Sequence, residues 1–69
     1  MADLVNTYRA QAEKAQAEAD AATLDNVRER NLRAAEAWTL MADRQERTER
    51  GRAQREGAAQ ARAAAAMAD

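Results

Sequence analysis

Apolar and small residues first follow one helix face and then change phase. From Val5 to Ala22 they recur at alternating steps of three and four residues, the spacing that keeps one side of a helix toward a partner. A second series with similar spacing begins at Leu24, and its displacement by two positions corresponds to about 200° of helix rotation. A straight rod would therefore bury opposite faces on either side of Thr23. The sequence predicts a turn at this residue.

The two series face each other when the chain is folded back at Thr23. Positions whose numbers sum to 46 then lie opposite one another, so that Tyr8 meets Trp38. This symmetry predicts an antiparallel two-helix hairpin in residues 1–50, with helices at about 3–22 and 24–50. The predicted hairpin seam consists of Val5, Tyr8, Ala12, Ala15, Ala19, Val27, Asn31, Ala34, Trp38 and Met41.

Two residues around the turn favour the start of a second helix. Thr23 is an acceptable N-cap for the second helix, and Asp25 in the first turn suits the helix dipole. Residues 51–69 are predicted to form a polar and then alanine-rich extension, which either continues the second helix or stays frayed. The second helix is therefore expected to overhang the first.

Composition supports an all-α fold and association with another chain. The 69 residues include 21 alanines and no proline, and strand-forming residues are scarce. A hairpin this small buries little apolar surface, so we expect self-association into a helical bundle or docking on a larger protein. A weakly folded monomer is the remaining alternative. The candidate partner interface is a second strip on the second helix, formed by Leu32, Ala35, Thr39 and Ala42.

An arginine-rich stretch, residues 43–57, leaves two interpretations open. Acid–arginine pairs four residues apart, such as Asp43–Arg47, favour a solvated helical extension. Binding to nucleic-acid phosphates is the alternative, although the interleaved acids and the lack of aromatic residues in this stretch argue against it. The candidate nucleic-acid contacts are Arg44, Arg47, Arg50, Arg52 and Arg55.

Several chemistries lack their usual residues. Without histidine or cysteine, the common nucleophile–base pairs and structural zinc sites are missing, and there is no glycine-rich phosphate loop. We therefore predict a protein that is not an enzyme and has no cofactor, metal or catalytic residues. No window approaches the roughly 18 apolar residues of a membrane span. The start of the chain lacks the pattern of a secretory signal, so a cytoplasmic protein is expected.

Two short patterns carry a resemblance to other proteins. Tyr8-Arg9-x-x-Ala12-Glu13 lies in the first predicted helix, and Arg28-x-x-x-Leu32-x-x-Ala35-x-x-Trp38-x-x-Met41-Ala42 in the second. With the Thr23-containing turn, they resemble a group of short, uncharacterised alphaproteobacterial helical-hairpin proteins over roughly residues 8–50. The resemblance implies a small helical hairpin with no assigned activity and supplies no catalytic or ligand residues.

Overall fold

A computed structural model describes residues 2–67, which form two α-helices. Helix α1 spans Ala2–Ala21 and helix α2 spans Asp25–Met67, and the described residues contain no strand. The all-helical prediction is confirmed. Alanine, glutamate, arginine and glutamine dominate both helices, and these residues lose little conformational freedom in a helix.

Helix α2 passes without a break through both of its glycines. Gly51 and Gly57 keep helical backbone angles, and neither has a positive φ. Each glycine destabilises a helix interior by roughly 0.5–1 kcal/mol relative to alanine. The strong helix formers on either side of each glycine offset this cost. The extension beyond residue 50 is therefore helical as far as Met67.

The turn between the helices is closed mainly by Arg28. The Ala22 amide donates to the Ala19 carbonyl at 3.2 Å, which tightens the end of α1. The Arg28 guanidinium donates to the Ala22 carbonyl at 2.9 Å and lies 3.5 Å from the Asp25 carboxylate. A cation at a helix C-terminus satisfies an otherwise unpaired carbonyl and opposes the negative end of the dipole.

The N-cap predicted at Thr23 is wrong by one residue. The carbonyl of Leu24 accepts the first helical hydrogen bond of α2, from the Arg28 amide at 3.0 Å, so Leu24 occupies the N-cap position. A leucine side chain cannot accept a hydrogen bond from the first turn. The Arg28 bridge across the turn links the two helix ends in place of a side-chain cap.

The molecule is elongated, measuring 69 × 15 × 11 Å. At 1.5 Å per residue, α1 is about 30 Å long and α2 about 65 Å. The shape is consistent with a helical hairpin in which α2 extends beyond α1. We call residues 2–46, where the helices contact each other, the two-helix body, and residues 47–67 the overhang.

The core of the body is built almost entirely from alanine. The buried apolar residues of the described chain are Val5 and four alanines, and no large side chain among them is fully buried. Small side chains let two helix backbones approach closely, but each removes little apolar surface from water. The four buried alanines are Ala15, Ala19, Ala35 and Ala42.

Candidate interaction surface

The aromatic pair lies where the fold-back register places it. The ring centroids of Tyr8 and Trp38 are 5.8 Å apart, with ring planes inclined by 33°. This separation is within the favourable range for aromatic pairs. Both side chains are half-buried, so the pair is a packing contact at the margin of the body rather than an exposed stacking platform.

Arg9 joins the two helices on one side of this aromatic pair. Its guanidinium donates to Asp43 Oδ1 and Glu46 Oε2, each at 3.3 Å. Glu46 also accepts a hydrogen bond from Arg50 at 3.1 Å, so one arginine from each helix meets the same carboxylate. The hydrogen bonds to Glu46 and then Asp43 raise the pKa of Arg9 above its ordinary value. This network marks the end of the two-helix body.

Neither Arg9 nor Arg28 was assigned a contact from the sequence. Arg9 directly follows Tyr8, and its side chain points toward the start of α1, as long side chains in helices do. Combined with the fold-back register, that direction brings it near residues 42–46 of α2. The signal for Arg9 was therefore present in the sequence, whereas the link from Arg28 depends on the path of the turn.

Burial distinguishes the core of the predicted seam from its margins. Val5, Ala15 and Ala19 are buried. The half-buried members of the predicted seam are Tyr8, Ala12, Val27, Asn31, Ala34 and Trp38. The prediction that Met41 lies in the seam is wrong, because 39% of its surface is accessible. The buried face of α2 is rotated toward Ala42, the next residue, because alanine lets α1 approach more closely than methionine does.

The candidate partner strip is split by the same rotation. Ala35 is 7% exposed and Ala42 is 0% exposed, so both lie inside the two-helix body and cannot meet a partner without opening it. This corrects their assignment to an outer interface. Leu32, at 41%, and Thr39 remain exposed along the edge of the body. Only half of the predicted strip is therefore available for docking.

The exposed half of the strip lies on the same side of the body as Arg9. Thr39 and Leu32 precede Asp43 by four and eleven residues, spacings that return to one side of a helix. Glu13 and Asp20 follow Arg9 on α1 at the same two spacings. We call this side the acidic edge. This side carries two arginines, Arg9 and Arg28, and six carboxylates. The carboxylates are Glu13, Asp20, Asp25, Glu36, Asp43 and Glu46.

The overhang contrasts with the body in charge and exposure. Residues 52–67 are all exposed. Residues 2–46 carry six basic and nine acidic side chains, a formal charge of −3, whereas residues 47–67 carry five arginines and two glutamates, a formal charge of +3. Of the candidate nucleic-acid contacts, Arg50 pairs with Glu46, and the structure leaves the side chains of all five exposed: Arg44, Arg47, Arg50, Arg52 and Arg55.

The described residues offer little for ligand chemistry. A surface depression of about 260 Å³ is lined by Glu49, Arg52, Ala53 and Glu56, all from consecutive turns of α2. Since one helix surface forms all of it, it encloses no site. Within residues 2–67 there is no cluster of three metal-ligating side chains. Nor is any helix there long and apolar enough to cross a membrane.

Comparison with known proteins gives a single result. No protein-family model, curated protein or solved structure matches this chain. The resemblance to short alphaproteobacterial helical-hairpin proteins therefore stays a prediction.

Proposed function

We propose that this protein is a non-enzymatic helical interaction module, which self-associates or docks as an accessory subunit on a larger protein. The observation that carries the proposal is the overhang. About half of α2 extends past the last hydrogen bond to α1, at Glu46, as a fully helical segment. Helix-forming residues account for its helical backbone, but a polar helix exposed on all sides gains nothing from burial, so we infer that a partner supplies the packing that it lacks.

The proposal includes an antiparallel arrangement of α1 and α2. Three residues separate the helices, which is too few for a parallel crossover. Contacts between Tyr8 and Trp38 and between Arg9 and Asp43 support this arrangement, since they join the start of α1 to the middle of α2. The overhang then leaves the body at the end opposite the turn.

The small core gives a second reason to expect association. Full burial of a valine or leucine side chain stabilises a fold by about 1.5–3 kcal/mol, and Val5 is the only buried apolar residue larger than alanine in the described chain. Leucines and methionines remain on the surface instead. The exposed large apolar residues are Leu4, Leu24, Leu32, Leu40, Met41 and Met67.

An arginine-mediated nucleic-acid-binding regulator is the alternative function. The charge of +3 on the overhang favours it, because phosphate contacts require exposed arginines. The charge of −3 on the body repels phosphates and so argues against this function. Tyr8 and Trp38 pack against each other, so neither is free for base stacking. We therefore place this function second.

Light scattering combined with circular dichroism on one sample tests the first proposal. A helical species with at least twice the 7.6 kDa chain mass supports self-association. A monomer that becomes more helical on binding a protein from its own cells supports the accessory role. A monomer that binds DNA or RNA, and releases it as salt rises from low to moderate concentration, would replace both with the alternative.

A further inference from the structure

We propose that the overhang of one copy lies along the acidic edge of a second copy, in a two-fold dimer with antiparallel α2 helices. The inference deepens the proposed function, on which it rests, by naming the partner as a second copy of the chain. Opposite charges on the body and the overhang favour this arrangement. The body at −3 and the overhang at +3 attract between copies.

The overhang and α1 also match in length. The overhang contains 21 residues and α1 contains 20, so each spans about 30 Å. An antiparallel pairing of two α2 helices therefore places each overhang beside the whole body of the other copy. Three helices then lie together at each end of the dimer, which supplies the overhang with the neighbours that it lacks in a single chain.

The exposed half of the partner strip continues along the overhang. From Thr39 the same side of α2 passes at alternating steps of four and three residues, the spacing of a coiled-coil seam. Beyond Arg50 its residues are mostly small, which allows close approach by another helix. Between Leu32 and Ala64 the series consists of ten residues, Leu32, Glu36, Thr39, Asp43, Glu46, Arg50, Ala53, Gly57, Gln60 and Ala64.

These ten residues all pair with one another in one antiparallel register. When paired numbers sum to 96, Leu32 lies opposite Ala64 and Thr39 opposite Gly57. The exposed leucine and threonine of one copy then meet small residues of the other. Glu36 meets Gln60, Asp43 meets Ala53, and Glu46 meets Arg50. No like charges oppose each other, and the Glu46–Arg50 pair occurs twice by symmetry.

Registers one heptad away are less favourable. With a sum of 89, Asp43 of one copy would lie opposite Glu46 of the other, and like charges at an interface repel. With a sum of 103, Glu46 would lie opposite Gly57 and Arg50 opposite Ala53, so the ion pair between the copies would be lost. The pairing that sums to 96 avoids both costs.

Two leucines of similar exposure give a matched pair of variants. Leu32 is 41% and Leu40 is 54% exposed, and neither is part of the core of the body. Only Leu32 belongs to the proposed interface. We expect Leu32→Glu to convert the dimer to a monomer in light scattering, and Leu40→Glu to leave the mass unchanged. Loss of the dimer in Leu40→Glu but not in Leu32→Glu would overturn this interface.

Disulfide trapping tests the register, because the natural chain has no cysteine. Chains carrying Thr39→Cys are mixed with chains carrying Gly57→Cys and oxidised gently. The pairing predicts a 39–57 disulfide between the two kinds of chain, while a mixture of Leu40→Cys and Gly57→Cys chains stays uncrosslinked. Predominant 39–39 and 57–57 products would mean parallel helices and would refute the arrangement.

The outcomes separate this inference from the proposed function. If the natural chain is a dimer but gives no 39–57 disulfide, self-association stands and this interface is wrong. If the natural chain is a monomer at every concentration tested, the dimer itself is overturned. The accessory role on a different protein is then judged by the binding experiment described above.

Discussion

Arg9 and Asp43 lie 3.3 Å apart, nitrogen to oxygen, although 34 positions separate them in the sequence. Their ion pair, shared with Glu46, holds the first half of α1 against the middle of α2. The groups are partly exposed, so water screens the attraction. Its main effect is on alignment of the helices rather than on total stability.

Replacing Arg9 is expected to loosen this end of the body. Arg9→Ala should lower the thermal midpoint slightly and increase amide exchange in the first two turns of α1, because both carboxylates lose their partner. Arg33→Ala, at an exposed position on α2, is the control and should change neither quantity. Equal exchange in both variants would show that the ion pairs do not order this end.

The contribution of Arg9 should not vary with pH near neutrality. Its pKa is raised in the folded protein by hydrogen bonds to Glu46 and Asp43. A raised pKa on a cationic group gives a contribution that is complete below the unfolded pKa and lost only as pH rises through the folded pKa, which here is strongly alkaline. The midpoint difference between the natural chain and Arg9→Ala should therefore agree at about pH 7 and about pH 9. A clear change between these values contradicts the assignment.

Enlarging Ala42 should destabilise the body. Ala42 is completely buried against α1, so Ala42→Leu forces the helices apart or the side chain into strain, at a cost of about 1–3 kcal/mol. Ala37→Leu is the control on the exposed side of the same helix and should be near neutral. Chemical denaturation at one protein concentration, followed by circular dichroism, gives both values. Equal effects would place Ala42 outside the core.

Tyr8 and Trp38 should be energetically coupled. A double-mutant cycle with Tyr8→Leu and Trp38→Leu is expected to give about 0.5–1.5 kcal/mol, the range for an aromatic pair beyond its area burial. Denaturation followed by circular dichroism serves all four proteins of the cycle, including the two that lack tryptophan. A coupling near zero would mean that the rings are adjacent without stabilising the body.

Arg28 should stabilise the turn through the end of α1. Arg28→Ala removes the hydrogen bond to the Ala22 carbonyl and should cost about 0.3–1 kcal/mol, as for other cations at helix C-termini. Amide exchange should rise mainly in the last turn of α1. Arg30→Ala is a suitable control, because Arg30 is exposed on the same helix. A similar loss in both variants would point to general electrostatics instead of this bond.

Gly51 offers a test of whether the overhang is limited by helix propensity. Its Cβ would approach only the flexible end of Arg55, at 3.4 Å, and its backbone is already helical. Gly51→Ala should therefore stabilise the surrounding turns by roughly 0.5–1 kcal/mol and slow their amide exchange. Residue 51 lies outside the proposed dimer series, so the molar mass should not change. Unchanged exchange would mean that contacts other than propensity order this segment.

The sequence by itself determined the helices and the place of the turn. Alanine content and the lack of proline favour helix throughout, and the change of phase near Thr23 occurs within a few residues of the observed break. These properties depend on backbone propensity and on spacing along a single helix. Both can be read from residue types alone.

Only the tertiary structure decided which side of α2 faces α1. The spacing allowed a seam through Met41 or one through Ala42, because adjacent positions on a helix differ by only about 100°. Close approach of two helix backbones favours the smaller residue, so Ala42 is buried between the helices and Met41 is exposed. The same rotation left Leu32 and Thr39 exposed beside the carboxylates. It thereby created the acidic edge as a surface that a partner can cover.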